Sequence, residues 1–271
     1  MFDATDPMPL LQRSTGAAQV VMGPRGLVDL AQSGSAKAML PRVSEGPPQI
    51  VFLNTSGGLA SGDRLSFAVI LRPGARVLAT TQTAERAYRA EGAPAQADLR
   101  LQVGQDCWLD WLPQETILFD GARLERRTVV DLAPGAGCVL LEMIVLGRLA
   151  RGEQPRRLHL RDYRIVRRAG RIVHHDALAL DDAALLRRNG PALLGDARAL
   201  ATLAVVAPHA PDLLARARAA LDEPGVAGAA SAPTGRLVIR CLARDDWPLR
   251  RQVVRLLAAL RPDPLPRIWQ V

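Results

Sequence analysis

A carboxylate inside an apolar run is the residue most open to a chemical interpretation. Glu142 interrupts the hydrophobic segment VLLEMIVL at residues 139–146. A carboxylate in such a run is costly unless it is paired, exposed on one face of a strand or functional. Glu142 and Glu153 could act together as an acid and a base. Glu142 could equally belong to a buried or interface ion-pair network, in which the plausible partners are Arg123, Arg148 and Arg151.

The histidines offer one cluster that combines nitrogen and oxygen ligands, His174-His175-Asp176. Imidazole and carboxylate groups suit nickel among other metals. Neighbouring residues of a strand point to opposite faces, so only His174 and Asp176 could share one ion. The alternative is a set of ordinary polar residues on a half-exposed strand.

A glycine-rich loop, SGGLASGD at residues 56–63, follows an apolar run. Its backbone N–H groups could hold phosphate. However, no Lys-Ser or Lys-Thr follows, and the next segment has the pattern of a strand where a phosphate loop would continue into a helix. The favoured interpretation is a tight turn with glycines at positive φ and Asp63 accepting hydrogen bonds from backbone donors.

Other signatures of catalysis, metal binding and nucleic-acid binding are missing from the sequence. It contains no GxSxG or HExxH motif, and its three cysteines are widely spaced. The net charge of +8 comes from arginines spread along the chain, with no basic helix interleaved with aromatics. We therefore expect no nucleic-acid binding.

The sequence also predicts a cytoplasmic location. The first residues, MFDATDPMPLLQ, lack the apolar segment of a signal peptide. No run approaches the ~18 apolar residues that a membrane span requires. We expect no membrane association.

Short apolar runs separated by glycine and proline turns, from residue 19 to 171, predict many strands. The turn-containing segments PGARV, VGQDCW and PGAGCV recur about every 30 residues, which is typical of layered β structure of the solenoid or jelly-roll kind. Helical spacing appears at residues 208–223 and 247–260, with a strand at 235–242 between them and a short helical turn at 181–188. The predicted fold is mainly β: stacked, twisted sheets in a β-helix-like or sandwich-like body with two α-helices towards the C-terminus. No polar linker divides the chain, so residues 1–271 are predicted to form a single domain.

Four segments, in this order, resemble the family of the urease accessory protein UreD, also called UreH. They are SGGLASGD at residues 56–63, TTQTAERAYR at 80–89, LPQETILFDGARL at 112–124 and GRLARGE at 147–153. The later LRP at 260–262 and PRIW at 266–269 are similar to the family as well. The sequence departs from the family at Arg86, where a lysine is usual, and in the short segment 263–265, which trims a possible contact surface. The resemblance covers roughly residues 15 to 271, the span of one domain.

This resemblance implies a mostly β scaffold that is not an enzyme. UreD-like proteins bind the urease apoprotein together with a UreF-like protein, and with a UreG-like GTPase through UreF, to deliver nickel. The resemblance implies no tightly bound cofactor, only transient nickel. A conduit needs weak oxygen ligands, for which the candidates are Asp63, Glu142, Glu153 and Asp176. The structural or interface candidates are Gln82, Tyr88, Arg89, Arg123, Arg148 and Arg151. The competing hypothesis is an all-β hydrolase or lyase that uses Glu142 and Glu153.

Overall fold

The structure is a computed structural model that describes residues 13–190 and 192–269. The expectation that the chain has no signal peptide concerns residues 1–12, which lie outside the described residues. The part of the chain that is described folds mainly into strands: β1 (Thr15–Gly23), β2 (Gly26–Gly34), β3 (Ala36–Met39), β4 (Gln49–Asn54), β5 (Arg64–Leu71), β6 (Arg76–Thr81), β7 (Glu85–Ala87), β8 (Ala95–Val103), β9 (Trp108–Trp111), β10 (Thr116–Leu118), β11 (Ala122–Leu132), β12 (Gly137–Leu146), β13 (Leu158–Arg168), β14 (Arg171–Asp181), β15 (Ala199–Val206), β16 (Val226–Ser231) and β17 (Arg236–Ala243).

These strands form two stacked sheets. A seven-stranded sheet has the order β14-β13-β11-β8-β5-β1-β2. A ten-stranded sheet has the order β16-β17-β15-β12-β9-β6-β4-β3, and β7 and β10 are attached to it beside β12. The middle of each sheet is parallel, because β5, β8, β11 and β13 alternate along the chain with β6, β9 and β12 of the other sheet. The predicted stacked, β-helix-like body is confirmed.

The recurring turns are the corners where the chain crosses from the seven-stranded sheet to the ten-stranded one. They join β5 to β6, β8 to β9 and β11 to β12. Backbone hydrogen bonds link one corner to the next, from Gly74 N to Gln105 O at 3.0 Å and from Asp106 N to Pro134 O at 3.2 Å. The 30-residue recurrence therefore reflects the stacking of successive layers, each layer supplying backbone partners for its neighbour.

Two apolar layers lie on either side of the ten-stranded sheet. One fills the space between the sheets and includes Phe52, Leu101 and Leu109. The other separates the ten-stranded sheet from the helices and includes Leu203 and Leu257. Every residue of β12 is buried, because this strand has a packed layer on each face. That burial explains its uninterrupted apolar run.

Three α-helices complete the described structure: α1 (Asp182–Leu186), α2 (Leu214–Ala219) and α3 (Asp246–Leu260). The second and third confirm the two predicted helices near the C-terminus. α3 begins within one residue of its predicted start and ends at the predicted residue. Among the described residues, none of the helices has the length and apolar character needed to cross a membrane.

The helix predicted at residues 208–223 is shorter than its periodicity indicates. A 3₁₀ turn at Ala210–Leu213 precedes α2, which stops at Ala219. Beyond that point Gln252 of α3 binds the chain: its Nε2 donates to Ala220 O at 2.6 Å, and its Oε1 accepts from Glu223 N at 3.0 Å. These bonds satisfy backbone groups at the end of α2, and a continued helix could not have paired Ala220 O because Pro224 has no N–H.

β11 is longer than its apolar run indicates, because it begins at Ala122, whereas the apolar alternation is visible only from residue 128 to residue 132. Its first half has the sequence ARLERR, in which charged residues obscure the alternation of apolar and polar positions that is typical of a strand. Even-numbered positions of β11 nevertheless face the other sheet, and one of them is Arg126. An inward arginine is tolerated because carboxylates partner it, as described below.

The C-terminal segment packs against the middle of the chain. Arg261 forms an ion pair with Asp110 at 2.7 Å, and both side chains are almost fully buried. Trp269 is also buried, and its indole N–H donates to Leu112 O at 3.0 Å. The LRP and PRIW segments therefore have a structural role, holding α3 against the ten-stranded sheet.

Candidate functional site

Asp63 sits in the glycine-rich loop and stabilises it. Its Oδ1 accepts from Ser14 N at 2.7 Å, and its Oδ2 accepts from Ala60 N at 2.8 Å. Gly57, Gly58 and Gly62 of this loop all have positive φ. This is the geometry expected of a tight turn. Both oxygens of Asp63 are thus occupied by backbone donors.

Glu153 is held at the surface by Arg148 of the same GRLARGE segment. The guanidinium contacts both carboxylate oxygens, at 2.9 and 3.0 Å, and Arg148 N donates to Oε2 at 2.9 Å. These hydrogen bonds from Arg148 lower the pKa of the Glu153 carboxyl. Glu153 therefore closes the turn that follows β12.

Tyr88 and Arg148 bring the four family-like segments together at one corner of the molecule. Tyr88 donates its hydroxyl to Gly57 O at 3.0 Å. Its ring meets Phe119 edge to face, with centroids 5.1 Å apart, and the Arg148 guanidinium lies 4.8 Å above the same Phe119 ring. Aromatic and cation–π contacts of this kind are modest but specific in geometry. The structural role that was predicted for Tyr88 and Arg148 fits this position.

The remaining structural or interface candidates lie at the surface. Gln82, Arg89, Arg123 and Arg151 are exposed. Arg89 is 3.3 Å from Asp120. Arg89 and Arg123 line an open cleft of about 700 Å³.

Glu142, by contrast, lies between the sheets and pairs with an arginine that the sequence did not single out. Its carboxylate is 2.7 Å from Arg126, not paired with Arg123, Arg148 or Arg151. Arg123 is three residues from Arg126 on the same strand, so it points to the opposite face. Arg126 also binds Asp162 through Nε at 3.2 Å and Nη2 at 2.8 Å, and donates to Thr116 Oγ1 at 3.0 Å.

The ion pairs continue across the seven-stranded sheet towards Asp176. Arg164 lies 3.6 Å from Asp162 and 3.4 Å from Asp176, which is directly opposite it in the register of β13 and β14. Arg240 of β17 closes the chain of contacts, 2.8 Å from Asp176. Three buried carboxylates thus face three guanidiniums. Glu142 and Asp176 belong to one network, whereas Asp63 and Glu153 lie outside it.

The interior changes how these acids bind protons. Burial raises the pKa of the Glu142 carboxyl, although Arg126 opposes the effect. Burial acts on Asp162 in the same direction, but Arg126 and Arg164 outweigh it and lower the pKa of that carboxyl. The pKa values of two carboxylates of one network are therefore shifted in opposite directions, because burial and the neighbouring Asp162 outweigh the arginines at Glu142, whereas the arginines prevail at Asp162.

His174 shares the inward face of β14 with Asp176, as strand alternation predicts, and His175 is exposed. Burial lowers the pKa of the His174 imidazole to about 4. No group of three or more His, Cys, Asp or Glu residues in the described ranges is arranged to hold a metal ion. The oxygens of Asp176 instead face Arg164 and Arg240.

Two cavities meet at Glu142. One, of about 70 Å³, is lined by polar groups that include Glu85, Gln114 and Arg126. The other, of about 290 Å³, is lined by Arg164, Asp176 and Arg240. Glu85 also borders a third cavity of about 60 Å³ beside Asn54 and Arg86. Carboxylates at Glu85, Glu142 and Asp176 therefore line successive cavities, and the walls of the two cavities at Glu142 are otherwise mostly apolar.

Sequence reasoning missed Glu85, Arg126, Asp162 and Arg164. Burial raises the pKa of the Glu85 carboxyl, whose oxygens lie 3.4 and 3.5 Å from Asn54 Nδ2. Glu85 lies within the TTQTAERAYR segment, so a signal was present. The other three occupy inward positions of strands whose alternation can be read from neighbouring apolar residues.

Glu142 and Glu153 lie in different parts of the molecule and have different ion-pair partners. Glu142 contacts Arg126 between the sheets, Glu153 contacts Arg148 at an outer corner, and neither cavity at Glu142 is lined by Glu153. The geometry gives no support to an acid–base pair formed by these two residues.

Comparison with known proteins gives consistent similarities over the full length. The family model described as UreD urease accessory protein matches residues 14–270. The chain is 71% identical over 271 residues to the urease accessory protein UreD of Paracoccus denitrificans (strain Pd 1222), covering 100% of this chain and 97% of that protein. It is 62% identical over 265 residues to the protein of the same name from Cereibacter sphaeroides (strain ATCC 17029 / ATH 2.4.9), covering 96% of each. Identity to the Jannaschia sp. (strain CCS1) protein of that name is 47% over 271 residues, with 100% of both covered.

Proposed function

The chain belongs to the UreD family of urease accessory proteins, and we propose that it conducts nickel through its interior to the urease apoprotein. Family membership supports a role in urease maturation. The observation that carries the more specific proposal is the position of Glu142, a buried carboxylate that lines two neighbouring cavities, each of which also contains other charged side chains.

The path has the chemistry that a passing divalent cation needs. Taking a bare charge into a protein interior is prohibitive without compensating groups. Glu85, Glu142 and Asp176 supply carboxylates in succession, and oxygen ligands hold nickel less firmly than clustered imidazoles or thiolates do. Nickel would thus be bound weakly enough to leave. Asp63 and Glu153 shape the turns around this path and do not line it.

The arginines of the network keep the empty path stable. The three guanidiniums of the network balance three carboxylates: Arg126 pairs with Glu142 and Asp162, Arg164 with Asp162 and Asp176, and Arg240 with Asp176. A cation can occupy a carboxylate when the guanidinium moves aside, and Arg240 has room to do so because 65% of its side chain is exposed. An exchange of guanidinium for metal keeps the local charge close to balanced.

The proposed partners are the urease apoprotein, a UreF-like protein and, through the latter, a UreG-like GTPase. Support for these comes from family membership, since the relatives are named urease accessory proteins. In this role the chain is a scaffold in the cytoplasm and performs no turnover of its own.

The conduit is tested by replacing Glu142 with its neutral isostere, Glu142→Gln, in cells that express urease subunits and the other accessory proteins. We expect urease to form its complex with this chain but to contain less nickel and show at least ~10-fold lower activity, since a neutral amide no longer compensates a buried cation. Asp176→Asn should act in the same direction.

Glu125→Gln is the matched control, because Glu125 lies on the exposed face of β11 and should leave activation unchanged. Full nickel content with the Glu142→Gln variant, in an intact complex, would remove the conduit proposal. If urease reached full nickel content in cells that lack this protein, the protein would have no role in urease maturation. The hydrolase or lyase hypothesis requires turnover by the isolated chain that Glu142→Gln abolishes.

A further inference from the structure

We propose that the 70 Å³ cavity between Glu85 and Glu142 is a built water site, in which Trp111, Gln114 and Thr128 hold ordered water that stays around the cation as it passes. The role of this water in cation passage rests on the proposed conduit function. The water site itself stands on the geometry of the cavity alone.

Three buried polar groups in this cavity have no protein partner within hydrogen-bond distance among the described residues, although the Trp111 indole N–H is near enough to Glu142 to act on the pKa of that carboxyl. They are the indole N–H of Trp111, the side-chain NH₂ of Gln114 and the hydroxyl of Thr128. These residues are 4%, 6% and 1% exposed. Leaving such a group unpaired costs roughly 1–3 kcal/mol, so native proteins usually satisfy it with protein or ordered water.

Contacts outside the cavity orient the Gln114 and Trp111 side chains, and the alternation of β11 directs Thr128 inward. Gln114 Oε1 accepts from Arg250 Nη1 at 2.7 Å, which directs the NH₂ of the same amide away from Arg250. The Trp111 ring packs against Phe52 with centroids 6.0 Å apart. Thr128 lies two residues from Arg126 on the inward face of β11. The three groups are held by the fold in front of the same cavity.

The cavity has the size and the complementary partners that water needs. At roughly 30 Å³ for each molecule, 70 Å³ accommodates at least two waters. A buried water requires two to four polar partners. Here Trp111 and Gln114 donate, Glu85 and Glu142 accept, and Thr128 can do either. A water molecule in the cavity can therefore accept hydrogen bonds from Trp111 and Gln114 and donate hydrogen bonds to Glu85 and Glu142.

Water in this cavity lies where it can hydrate a cation that moves from Glu85 to Glu142. A cation moving from Glu85 to Glu142 must cross this cavity, and losing its whole hydration shell there would be costly. Water hydrogen-bonded to Trp111, Gln114 and Thr128 can remain as part of that shell. The three side chains therefore act as positioning residues through water and need not contact the metal.

The water site is tested by a high-resolution crystal structure of the full chain in complex with its partners. We expect solvent peaks within hydrogen-bond distance of Trp111 Nε1, Gln114 Nε2 and Thr128 Oγ1. An empty cavity, or one filled by side chains that have moved, would overturn the inference.

The role in transfer is tested with Thr128→Val, which removes the hydroxyl and keeps the shape. We expect nickel loading of urease to slow by about fivefold, the equivalent of one lost hydrogen bond of typical strength, and the Thr128 water peak to disappear. Thr80→Val is the matched control. Its hydroxyl is also buried but is already bonded to Leu112 O at 2.6 Å, and Thr80 does not line the cavity. This control should leave the loading rate unchanged.

Failure of this inference and failure of the conduit are distinguishable. If Glu142→Gln blocks loading while Thr128→Val loses its water and loads normally, water has no part in transfer and the conduit stands. If Glu142→Gln also loads normally, the conduit is lost, and the crystal structure still decides the water site.

Discussion

The buried charges of this protein are partnered across long sequence distances. Arg126 joins Glu142 to Asp162, and Arg261 reaches Asp110 from 151 residues away. Strand alternation correctly placed Asp176 on the same face of its strand as His174. The identity of the partner of each buried acid depends on which strands become neighbours. For this reason the expectation that Glu142 pairs with Arg123, Arg148 or Arg151 was wrong, although an ion-pair network was one of the two alternatives that the sequence left open.

Arg261→Met should destabilise the protein by roughly 3–5 kcal/mol, since it leaves Asp110 as an unpaired charge in the interior. Urea denaturation of the full chain would measure the change in the free energy of unfolding. The control is Arg76→Met, because Arg76 pairs with Asp263 at the surface, with 46% of its side chain exposed. Its loss should cost under about 1 kcal/mol. Equal losses for the two variants would contradict the prediction.

His174 should make the protein less stable in mild acid. Its pKa is about 4 in the folded protein and 6.5 in the unfolded chain, so the unfolded state takes up the proton first as the pH falls. The stability that depends on neutral His174 is therefore present above pH 6.5 and lost progressively down to about pH 4. Linkage puts the loss between pH 7 and pH 5 at about 2 kcal/mol.

Urea denaturation at these two pH values, on the wild type and on His174→Gln, isolates this contribution. The difference between the two proteins should change with pH by the stated amount. A difference that is the same at both pH values would refute the assignment.

At the scale of elements, turns and helices were easier to anticipate than strand boundaries. α3 has an apolar face that is visible in sequence, and the glycine-rich loop has residues suited to positive φ. The start of β11 was missed because its inward Arg126 breaks the apolar alternation. α2 ends early because Gln252 of another helix binds the backbone that follows it. In both cases the groups that permit the departure lie on other elements: Glu142 and Asp162 for Arg126, and Gln252 for the backbone after α2.

Gly58→Ala should weaken the corner where the family-like segments meet. A Cβ there would lie 2.4 Å from the Tyr88 ring and 2.8 Å from Arg86 O. Overpacking of this kind costs roughly 1–3 kcal/mol, in addition to the strain of positive φ. Thermal unfolding would measure the loss, and near-ultraviolet circular dichroism would report the displaced tyrosine.

Gly57→Ala is the control for that substitution. Gly57 also has positive φ, but a Cβ added at this position would meet no other atom within 4 Å. Its cost should be the backbone strain alone, about 1 kcal/mol. If Gly57→Ala destabilised the protein more than Gly58→Ala, the close contact between residue 58 and Tyr88 would not explain why the loop requires glycine.

At the scale of the whole molecule, β12 connects the two apolar layers. Leu140 and Ile144 belong to the layer between the sheets, while Leu141 and Met143 belong to the layer beneath the helices. Neither layer can be lost without exposing one face of this strand. That sharing supports the prediction of a single domain.

Unfolding of the full chain should accordingly be one cooperative event. Differential scanning calorimetry should give a single transition whose calorimetric and van't Hoff enthalpies agree. Two separated transitions, one sensitive to Trp269→Ala and the other to Phe52→Ala, would show that the layers are independent domains.

The sequence by itself determined the family, through the order of its motifs, and the layered β architecture, through its recurring turns. These are properties of short segments, which local backbone preferences and alternation control. The tertiary structure alone decided which carboxylates share a path. Glu85 and Glu142 line one cavity, and Glu142 and Asp176 line another, because the stacking of two sheets brings together strands that are distant in sequence. Charge pairing and cavity formation depend on those through-space neighbours, and no local pattern encodes them.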